Sequence, residues 1–305
     1  MACPYTPING FKTIKVFRNG PRYFVALIED QKGDLFVIKQ LLDGSNSWAR
    51  DALSKEILFT NWVVSLGDKL LASYFLNNHD FEVQGNSVWR AQSFCAGIFQ
   101  NREPSPFLLL DSFSEDVSPV ELSDFLSRLH AVTKSLPKQL TDRLRSFTLA
   151  EYEKFINWED IPVGIVDVDL KRKIRAFLDS ETPTYNSARR VLTHFEFYGP
   201  HILKREDKSL AIIDWENVGV SVESHDLVSI WLRAFQNNNW QEIFLSNFRK
   251  GLSSDAEFEA VFRVEVVLQS LGNIAYFIRS DIEAEKNVKD LAIQFFIKQV
   301  RNNIG

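Results

Sequence analysis

The chain has 305 residues, of which 45% are hydrophobic and 25% are charged, and its formal net charge is −5. This length suits one large domain or two lobes with a substantial core, and the acidic balance gives no support for nucleic-acid binding. The two cysteines, Cys3 and Cys95, are too few for a disulfide framework and indicate a reducing compartment. Residues 1–17 lack the apolar run of a signal peptide, and no stretch has 18 uninterrupted apolar residues. We therefore expect a cytoplasmic protein without membrane contact.

Three short strands are predicted between residues 11 and 40, where β-branched and aromatic residues are interrupted by turn signals at 19–21 and 31–34. The first turn has a single glycine, and Pro21 lacks a backbone N–H, so the turn is a weak candidate for a phosphate-binding loop. The third strand ends with the pattern V-I-K at Lys39.

A helix is predicted over residues 48–66, where apolar residues recur at near-helical spacing, and it carries Glu56. Two further strands are predicted over residues 70–75 and 88–94. Together these elements predict a five-stranded antiparallel sheet with one helix within residues 1–93. A hinge is expected at residues 94–100.

The remainder of the chain, residues 101–305, is predicted to be mainly helical after a polar loop at 101–117 that contains an apolar insert. Ser118 is a suitable N-cap for a helix, and Pro119 suits its first position. His130 lies on the core-facing side of this helix, which favours a packed structural histidine over a catalytic one. Helical patterns follow at residues 147–180, 227–235, 240–248, 255–277 and 283–300.

The most informative stretch spans residues 189–228. A short apolar run leads into a polar, aromatic loop at 194–201, and a charged turn then separates two apolar runs in the pattern of a hairpin. Asp214 lies at the end of the second run. We expect the hairpin to bring Glu196 close to Asp214. Two neighbouring carboxylates repel each other in a structural role, but they suit a divalent metal ion or proton transfer.

This stretch resembles the catalytic segment of the aminoglycoside phosphotransferase and choline kinase-like family, which shares the protein-kinase architecture. The family's loop, H-G-D-x-H-P-x-N-[IL]-[IL], precedes a hairpin, I-D-[WFP]-E and D-L-A. The matching pieces here are H-F-E at 194–196, G-P-H-I-L at 199–203, I-D-W-E at 213–216 and D-L-V at 226–228. The chain departs from the family at Glu196, which replaces the catalytic aspartate, and at His201, which replaces the metal-binding asparagine.

The resemblance implies an α+β, two-lobed protein kinase-like fold and phosphoryl transfer from ATP to a small-molecule hydroxyl. It implies that Lys39 contacts the nucleotide phosphates and that Glu56 orients Lys39. Asp214 would be the main Mg²⁺ ligand, and Glu196 would position and deprotonate the acceptor hydroxyl. His201 would occupy the second metal position, where its softer imidazole makes Mn²⁺ an alternative to Mg²⁺.

The resemblance assigns structural roles to the other loop residues. His194 would support the loop through hydrogen bonds, and Asp226 would hold the loop backbone from the following helix. Phe195 replaces a small glycine, which adds bulk beside Glu196, and Tyr198 replaces a histidine.

The departures leave more than one function open. A displacement of about a methylene's length, as at Glu196, costs ~10²-fold in a site that relies on orientation. An active kinase is the favoured interpretation because Lys39, Glu56 and Asp214 are present. The alternative is a pseudokinase scaffold or regulatory protein with weak or no catalysis. A third possibility is altered chemistry, such as another metal or transfer of a nucleotidyl group. The sequence does not specify the acceptor.

Overall fold

The computed structural model describes residues 11–84, 87–99, 117–235, 237–252, 255–280 and 286–305. The chain divides into two compact units. The first comprises Met1–Ile98, Pro137–Arg143 and Leu203–Val218, and the second comprises Phe99–Leu136, Leu144–Ile202 and Gly219–Gly305. Most of the polar loop predicted at 101–117, including its apolar insert, lies outside the described residues.

The first unit contains a five-stranded antiparallel sheet, which confirms the predicted sheet. Its strands are β1 (Lys12–Asn19), β2 (Tyr23–Glu29), β3 (Leu35–Leu41), β4 (Asn78–Gln84) and β5 (Ser87–Ser93), in the order β1-β2-β3-β5-β4. In β2 and β3, Phe24, Ala26, Ile28, Phe36 and Ile38 are buried at alternating positions. This period of two follows from the pleat of a strand and places one face of the sheet in the core.

Helix α1 (Ser47–Ser65) packs against the opposite face of this sheet, next to Tyr23 and Leu41, and brings Glu56 to that face. The Asn46 side chain caps the helix by accepting a hydrogen bond from the Ala49 N–H. Leu53 and Ile57 belong to a buried cluster with residues of the sheet. Glu56 lies three residues after Leu53, so it shares the buried face of α1.

The strand predicted over residues 70–75 is wrong, because Lys69–Ser73 forms helix α2. The Asp68 side chain accepts hydrogen bonds from the backbone N–H groups of Leu70 and Leu71. This cap satisfies donors that a helix start leaves open, and it outweighs the apolar and aromatic pattern of the run. The fourth strand of the sheet is β4, which follows α2 in the chain.

The predicted hairpin is present as β9 (Ile202–Arg205) and β10 (Leu210–Ile212), and β6 (Gly97–Phe99) pairs with β9 on the other side. A Cβ at Gly97 would lie 2.5 Å from the Lys204 carbonyl oxygen, so this close pairing requires glycine. After β10, the Trp215 ring packs against Phe59 and Phe75, with centroid distances of 5.0 and 4.9 Å. This packing anchors the segment that carries Asp214.

The second unit is mainly helical, with a small sheet of β7 (Arg145–Ser146), β11 (Gly219–Val222) and β8 (Arg190–Thr193). Its helices are α3 (Pro119–Val132), α5 (Leu149–Ile156), α6 (Val168–Ser187), α7 (His225–Arg233), α8 (Asn238–Arg249), α9 (Asp255–Arg279) and α10 (Lys286–Asn303); the short α4 (Lys138–Thr141) belongs to the first unit. The predicted capping of α3 is present, since the Ser118 side chain accepts a hydrogen bond from the Glu121 N–H.

Two features of the helical unit concern candidate functions. His130 is buried against the Phe248 ring, with centroids 5.6 Å apart, and burial lowers the pKa of His130 to about 3. A neutral, enclosed imidazole fits the structural role predicted for it. In α9, Ala256–Arg279 is long and apolar enough to cross a membrane by length and composition, but 72% of its most apolar window is buried inside the fold.

Candidate active site

Lys39 lies at the centre of a cluster of charged side chains in the first unit. Its Nζ donates hydrogen bonds to Glu56 Oε2 at 3.1 Å, Asp214 Oδ1 at 2.7 Å and Glu216 Oε2 at 2.9 Å. The Tyr23 ring lies against the ammonium group, 4.8 Å from Nζ to the centroid. Burial by itself would lower the pKa of Lys39, but the three carboxylates raise it above its usual value. Lys39 is therefore a cation at neutral pH.

Glu56 is fully buried and is held from several directions. Its Oε1 accepts hydrogen bonds from Arg90 Nη2 at 2.7 Å and from the Trp215 backbone N–H at 2.8 Å, while Oε2 faces Lys39. Arg90 and Lys39 are directly paired residues of β5 and β3, so both cations lie on the same face of the sheet. A buried carboxylate needs such partners, and in return it fixes the direction of the Lys39 ammonium group.

Asp214 adopts a left-handed backbone conformation, with φ of 65°, at the point where β10 ends and a 3₁₀ turn begins. Aspartate tolerates this conformation better than most residues. Its side chain is 34% exposed, against 9% for that of Glu216. Asp214 is therefore the carboxylate of this cluster that a ligand reaches most easily.

The three carboxylates of the cluster could hold a divalent metal ion. Glu56, Asp214 and Glu216 each offer an oxygen, and these oxygens all lie within 4.8 Å of one another. Carboxylate oxygens are the ligands that Mg²⁺ and Mn²⁺ prefer, and the adjacent Lys39 ammonium suits a phosphate group. The residues present thus fit a metal ion that accompanies nucleotide phosphates.

The turn between β1 and β2 adds a further cation to this site. The turn is closed by a hydrogen bond from the Gly20 N–H to the Tyr23 carbonyl oxygen at 3.1 Å. The Arg22 guanidinium stacks on the Trp48 ring at 4.9 Å, and its Nη1 lies 4.0 Å from Glu216 Oε1. The turn therefore presents an arginine side chain where a glycine-rich loop would present backbone N–H groups.

In the second unit, the loop at 194–201 is held from the first turn of α7. Asp226 Oδ2 accepts a hydrogen bond from the His194 N–H at 2.5 Å, and Oδ1 accepts one from the Phe195 N–H at 3.1 Å. Burial raises the pKa of Asp226 to about 6, against the opposing influence of His225 and of these two hydrogen bonds. Asp226 thus occupies the position that the family resemblance implies for it.

Two histidines surround the backbone of Glu196. His194 Nδ1 accepts a hydrogen bond from the Glu196 N–H at 3.3 Å, and His201 Nδ1 lies 2.8 Å from the Glu196 carbonyl oxygen. A carbonyl oxygen only accepts, so His201 carries a proton on Nδ1, and Nε2 is the acceptor of the neutral ring. Nε2 is therefore the atom that a metal ion would meet.

A cavity of about 510 Å³ opens beside this loop within the second unit. This volume is in the range of small-molecule sites. The loop, α7 and α9 each contribute to its walls, through Phe195, Glu196, Tyr198, Arg233, Asn273 and Tyr276.

The structure brings Lys39, Glu56 and Asp214 together in the first unit, whereas Glu196 and His201 are neighbours in one loop of the second unit. The expected approach of Glu196 to Asp214 stays a prediction. Two residues of the cluster have no role in the sequence-based prediction. These residues are Glu216 and Arg90. Glu216 could have been found in the sequence, because it belongs to the I-D-W-E motif two residues after Asp214. Arg90 is identified only by the pairing of β5 with β3.

Comparison with known proteins gives one family and many similar folds. A model described as the phosphotransferase enzyme family matches residues 109–264. No curated protein matches the sequence.

Solved structures align along almost the whole chain. A GDP and kanamycin complex of APH(2")-IIia has 14% identity and a TM-score of 0.60, covering 98% of this chain and 96% of the other. Choline kinase LicA from Streptococcus pneumoniae has 13% identity and a TM-score of 0.59, covering 95% and 94%. Amicoumacin kinase hAmiN, in complex with AMP-PNP, Ca²⁺ and Ami, has 13% identity and a TM-score of 0.63, covering 94% and 88%. At these identities the likeness establishes the fold, which is kinase-like, as predicted.

Proposed function

The chain belongs to the phosphotransferase enzyme family, and we propose on that premise that it transfers the γ-phosphoryl group of ATP to a hydroxyl of a small molecule. The observation that carries this proposal is the position of Lys39, whose ammonium group contacts both Glu56 and Asp214. Phosphoryl transfer depends on held phosphates and balanced charge more than on covalent help from the protein. The cluster supplies a rigid cation and an accessible carboxylate for these two tasks.

On the nucleotide side, Lys39 binds phosphate oxygens, and Glu56 keeps the lysine in place because Arg90 and Trp215 fix its carboxylate. Asp214 would hold the divalent metal ion, which would supply charge neutralisation on the phosphates. Mg²⁺ is the expected metal and Mn²⁺ the alternative. The complex of the amicoumacin kinase with AMP-PNP and Ca²⁺ supports this combination of nucleotide and divalent cation for the fold.

On the acceptor side, the small molecule occupies the cavity beside the loop, and Glu196 accepts the proton of its hydroxyl. His201 would hold the second metal ion through Nε2, because its Nδ1 proton is engaged by the Glu196 carbonyl. This hydrogen bond fixes the orientation of the His201 ring relative to the backbone of Glu196, the general base. Glutamate and histidine act here in place of the aspartate and asparagine of the family pattern.

The proposal is tested first by thermal unfolding in the presence of a non-hydrolysable ATP analogue, with Mg²⁺, Mn²⁺ or no metal. A ligand at 100 times its dissociation constant adds about 2.7 kcal/mol of stability, which shifts the midpoint of a chain of this size by about 4 °C, given an unfolding entropy of ~2.1 cal/mol/K per residue. We expect a metal-dependent shift in the wild type and its loss in Asp214→Asn, which keeps the shape but removes the charge. The absence of any shift with either metal would sink the proposal.

A second experiment separates an adapted catalytic loop from one that has lost activity. Glu196→Asp and His201→Asn together restore the family pattern, and ATP turnover is measured for both proteins with Mg²⁺ and Mn²⁺. We expect turnover to fall in the double variant, because the shorter carboxylate at position 196 would be displaced from the acceptor hydroxyl by about a methylene's length. A large rise in turnover would mean that the natural chain has drifted away from catalysis.

A further inference from the structure

The charges and rings around the 510 Å³ cavity carry an inference about the acceptor, which rests on the proposed function. We infer that the acceptor is a hydroxyl compound with an anionic group, such as a carboxylate or phosphate, and a flat apolar portion. The inference excludes polyamine acceptors with several ammonium groups.

The balance of charge on the described lining is positive. Arg233 and Arg279 are its two guanidinium groups, and Glu196 is its one carboxylate. The lining imidazole of His225 is compensated from beneath by buried Glu265, with His225 Nδ1 and Glu265 Oε2 3.1 Å apart. A compound with several ammonium groups would meet like charge in this cavity, whereas an anion would meet opposite charge.

Arg233 is held rigidly at the wall of the cavity. It is 6% exposed, its Nη1 donates hydrogen bonds to the Ser229 carbonyl oxygen at 2.6 Å and to Ser229 Oγ at 2.9 Å, and its guanidinium lies over the Tyr198 ring at 5.3 Å. Burial lowers the pKa of Arg233 to about 10, so the group stays charged at neutral pH. A fixed guanidinium in such surroundings binds carboxylate or phosphate oxygens with strong, directional hydrogen bonds.

Aromatic rings form much of the remaining wall and indicate the apolar portion of the acceptor. Phe155, Phe195, Tyr152 and Tyr276 all line the cavity. Phe155 is 76% exposed, although it is a large apolar side chain. Together with Phe195 and Tyr276, its ring forms an aromatic wall against which a flat apolar portion of a ligand can lie.

Glu196 and Arg233 together define how the acceptor lies. Both line the same cavity, and under the proposed function Glu196 takes the proton of the reacting hydroxyl. The anionic group of the acceptor then meets Arg233, its ring lies against the aromatic wall, and its hydroxyl meets Glu196. The cavity should therefore bind a compound that carries all three groups more tightly than a compound that lacks one of them.

The test uses two probes that share a phenyl ring and a secondary hydroxyl but carry opposite charges. Phenyllactate carries a carboxylate beside its hydroxyl, and 1-amino-3-phenylpropan-2-ol carries an aminomethyl group, charged as ammonium, in the same position. Their dissociation constants are measured by ligand-observed NMR with the full chain. We expect the carboxylate to bind at least about tenfold more tightly than the amine, as one charged hydrogen-bonded pair provides.

Three variants locate the source of this preference. Arg233→Met keeps most of the length of the side chain without its charge. It should reduce the ratio of the two dissociation constants to about one. Arg279→Gln removes an exposed cation and should reduce it less, because solvent screens exposed charges. Glu196→Gln removes the one carboxylate of the described lining and should raise the affinity for phenyllactate. This last variant keeps the inference testable even where Arg233→Met does not fold.

Equal binding of both probes by the wild type, no detectable binding of either, or preference for the amine would overturn the inference. An unchanged preference in folded Arg233→Met would also overturn it. Stabilisation by the ATP analogue is measured in the same samples. If the analogue binds and the charge preference is absent, the acceptor inference fails and the proposed function stands. If the preference is present and the analogue does not bind, the proposed function fails and the anion site remains.

Discussion

The Phe195 ring fills the space that a side chain at Gly219 would need. A Cβ at Gly219 would lie 2.6 Å from Phe195 Cε2. Phe195 has a φ of 67°, a left-handed conformation that costs a non-glycine residue about 1–2 kcal/mol. The family pattern has glycine at this loop position. Here the loop keeps a glycine-like backbone, and the glycine on β11 provides room for the phenylalanine ring.

Gly219→Ala should lower the free energy of unfolding by about 1–3 kcal/mol, the usual cost of overpacking. The added methyl would meet both the Phe195 ring and the Arg145 carbonyl oxygen, the latter at 2.7 Å. The loss should be smaller in a Phe195→Gly background, because only the carbonyl contact then remains. Urea unfolding measures both values.

Gly164→Ala is the matched control, since a Cβ at Gly164 would meet nothing within 4 Å and its φ needs no glycine. Equal stabilities of the Gly219→Ala and Gly164→Ala proteins would contradict the packing of Phe195 described here.

Lys39→Met should destabilise the first unit by about 3 kcal/mol, the usual result when one partner of a buried charge cluster is removed. The three carboxylates around Lys39 would then repel one another without a cation between them. A second change, Glu216→Gln, should restore part of the loss because it removes one of the repelling charges. Millimolar Mg²⁺ should stabilise Lys39→Met more than it stabilises the wild type, since the metal ion would replace the missing ammonium group.

The control is Lys138→Met, which removes a lysine that is 86% exposed from a surface pair with Asp142. This change should have a much smaller effect, because water screens the pair. If Lys39→Met and Lys138→Met were equally stable in chemical denaturation, Lys39 would not hold the cluster together.

Local signals in the sequence predict much of the fold. Alternating apolar residues predict β2 and β3, and the Ser118-Pro119 cap predicts α3, because the neighbouring residues alone determine these patterns. The wrong prediction of a strand at 70–75 is also explained by neighbouring residues. The run is apolar and aromatic, but the Asp68 cap before it decides in favour of a helix.

The parts of the site that the sequence does not predict depend on contacts between distant residues. Arg90 reaches Glu56 from a strand 34 residues further along the chain. Glu265 accepts a hydrogen bond from Tyr185, 80 residues away, and lies beside His225, 40 residues away. Neither Arg90 nor Glu265 can be identified as a partner from its spacing or residue type in the sequence. These contacts are visible only once the helices and strands are packed together.

The buried pair of His225 and Glu265 should make stability depend on pH. Burial would lower the pKa of His225, but Glu265 raises it above its usual value of 6.5. Burial would raise the pKa of Glu265, but His225 and hydrogen bonds from Gln269 and Tyr185 lower it below its usual value of 4.5. The histidine's contribution is present below 6.5 and is lost as the pH rises through its higher folded pKa. The glutamate's contribution is present above 4.5 and is lost as the pH falls through its lower folded pKa.

Both contributions are therefore present between pH 4.5 and 6.5. Glu265→Gln should lower the free energy of unfolding most in this interval and less on either side of it. Urea titrations at a series of pH values measure the difference from the wild type. Glu159→Gln, which changes a side chain that is 66% exposed, should give a small difference with little dependence on pH. A difference for Glu265→Gln that does not change with pH would contradict the ionised pair.

His201→Asn should change which metal ion best supports nucleotide binding. The Nδ1 proton of His201 is engaged by the Glu196 carbonyl oxygen at 2.8 Å, so Nε2 is the ring nitrogen that would hold a metal ion in the proposed function. Imidazole nitrogen favours Mn²⁺ over Mg²⁺ more strongly than an amide oxygen does. The asparagine amide can still donate to the Glu196 carbonyl, so the substitution changes the ligand atom and keeps the loop contact.

Thermal shifts with a non-hydrolysable ATP analogue, titrated against each metal, give the ratio of Mn²⁺ to Mg²⁺ affinity. We expect this ratio to fall by about tenfold in His201→Asn, the lower end of the usual effect of changes around a metal site. His79→Asn makes the same substitution at a histidine on β4 that stacks on Phe36 and should leave the ratio unchanged. An equal ratio in the wild type and His201→Asn would mean that His201 does not contact the metal ion and that its role is to hold the Glu196 backbone.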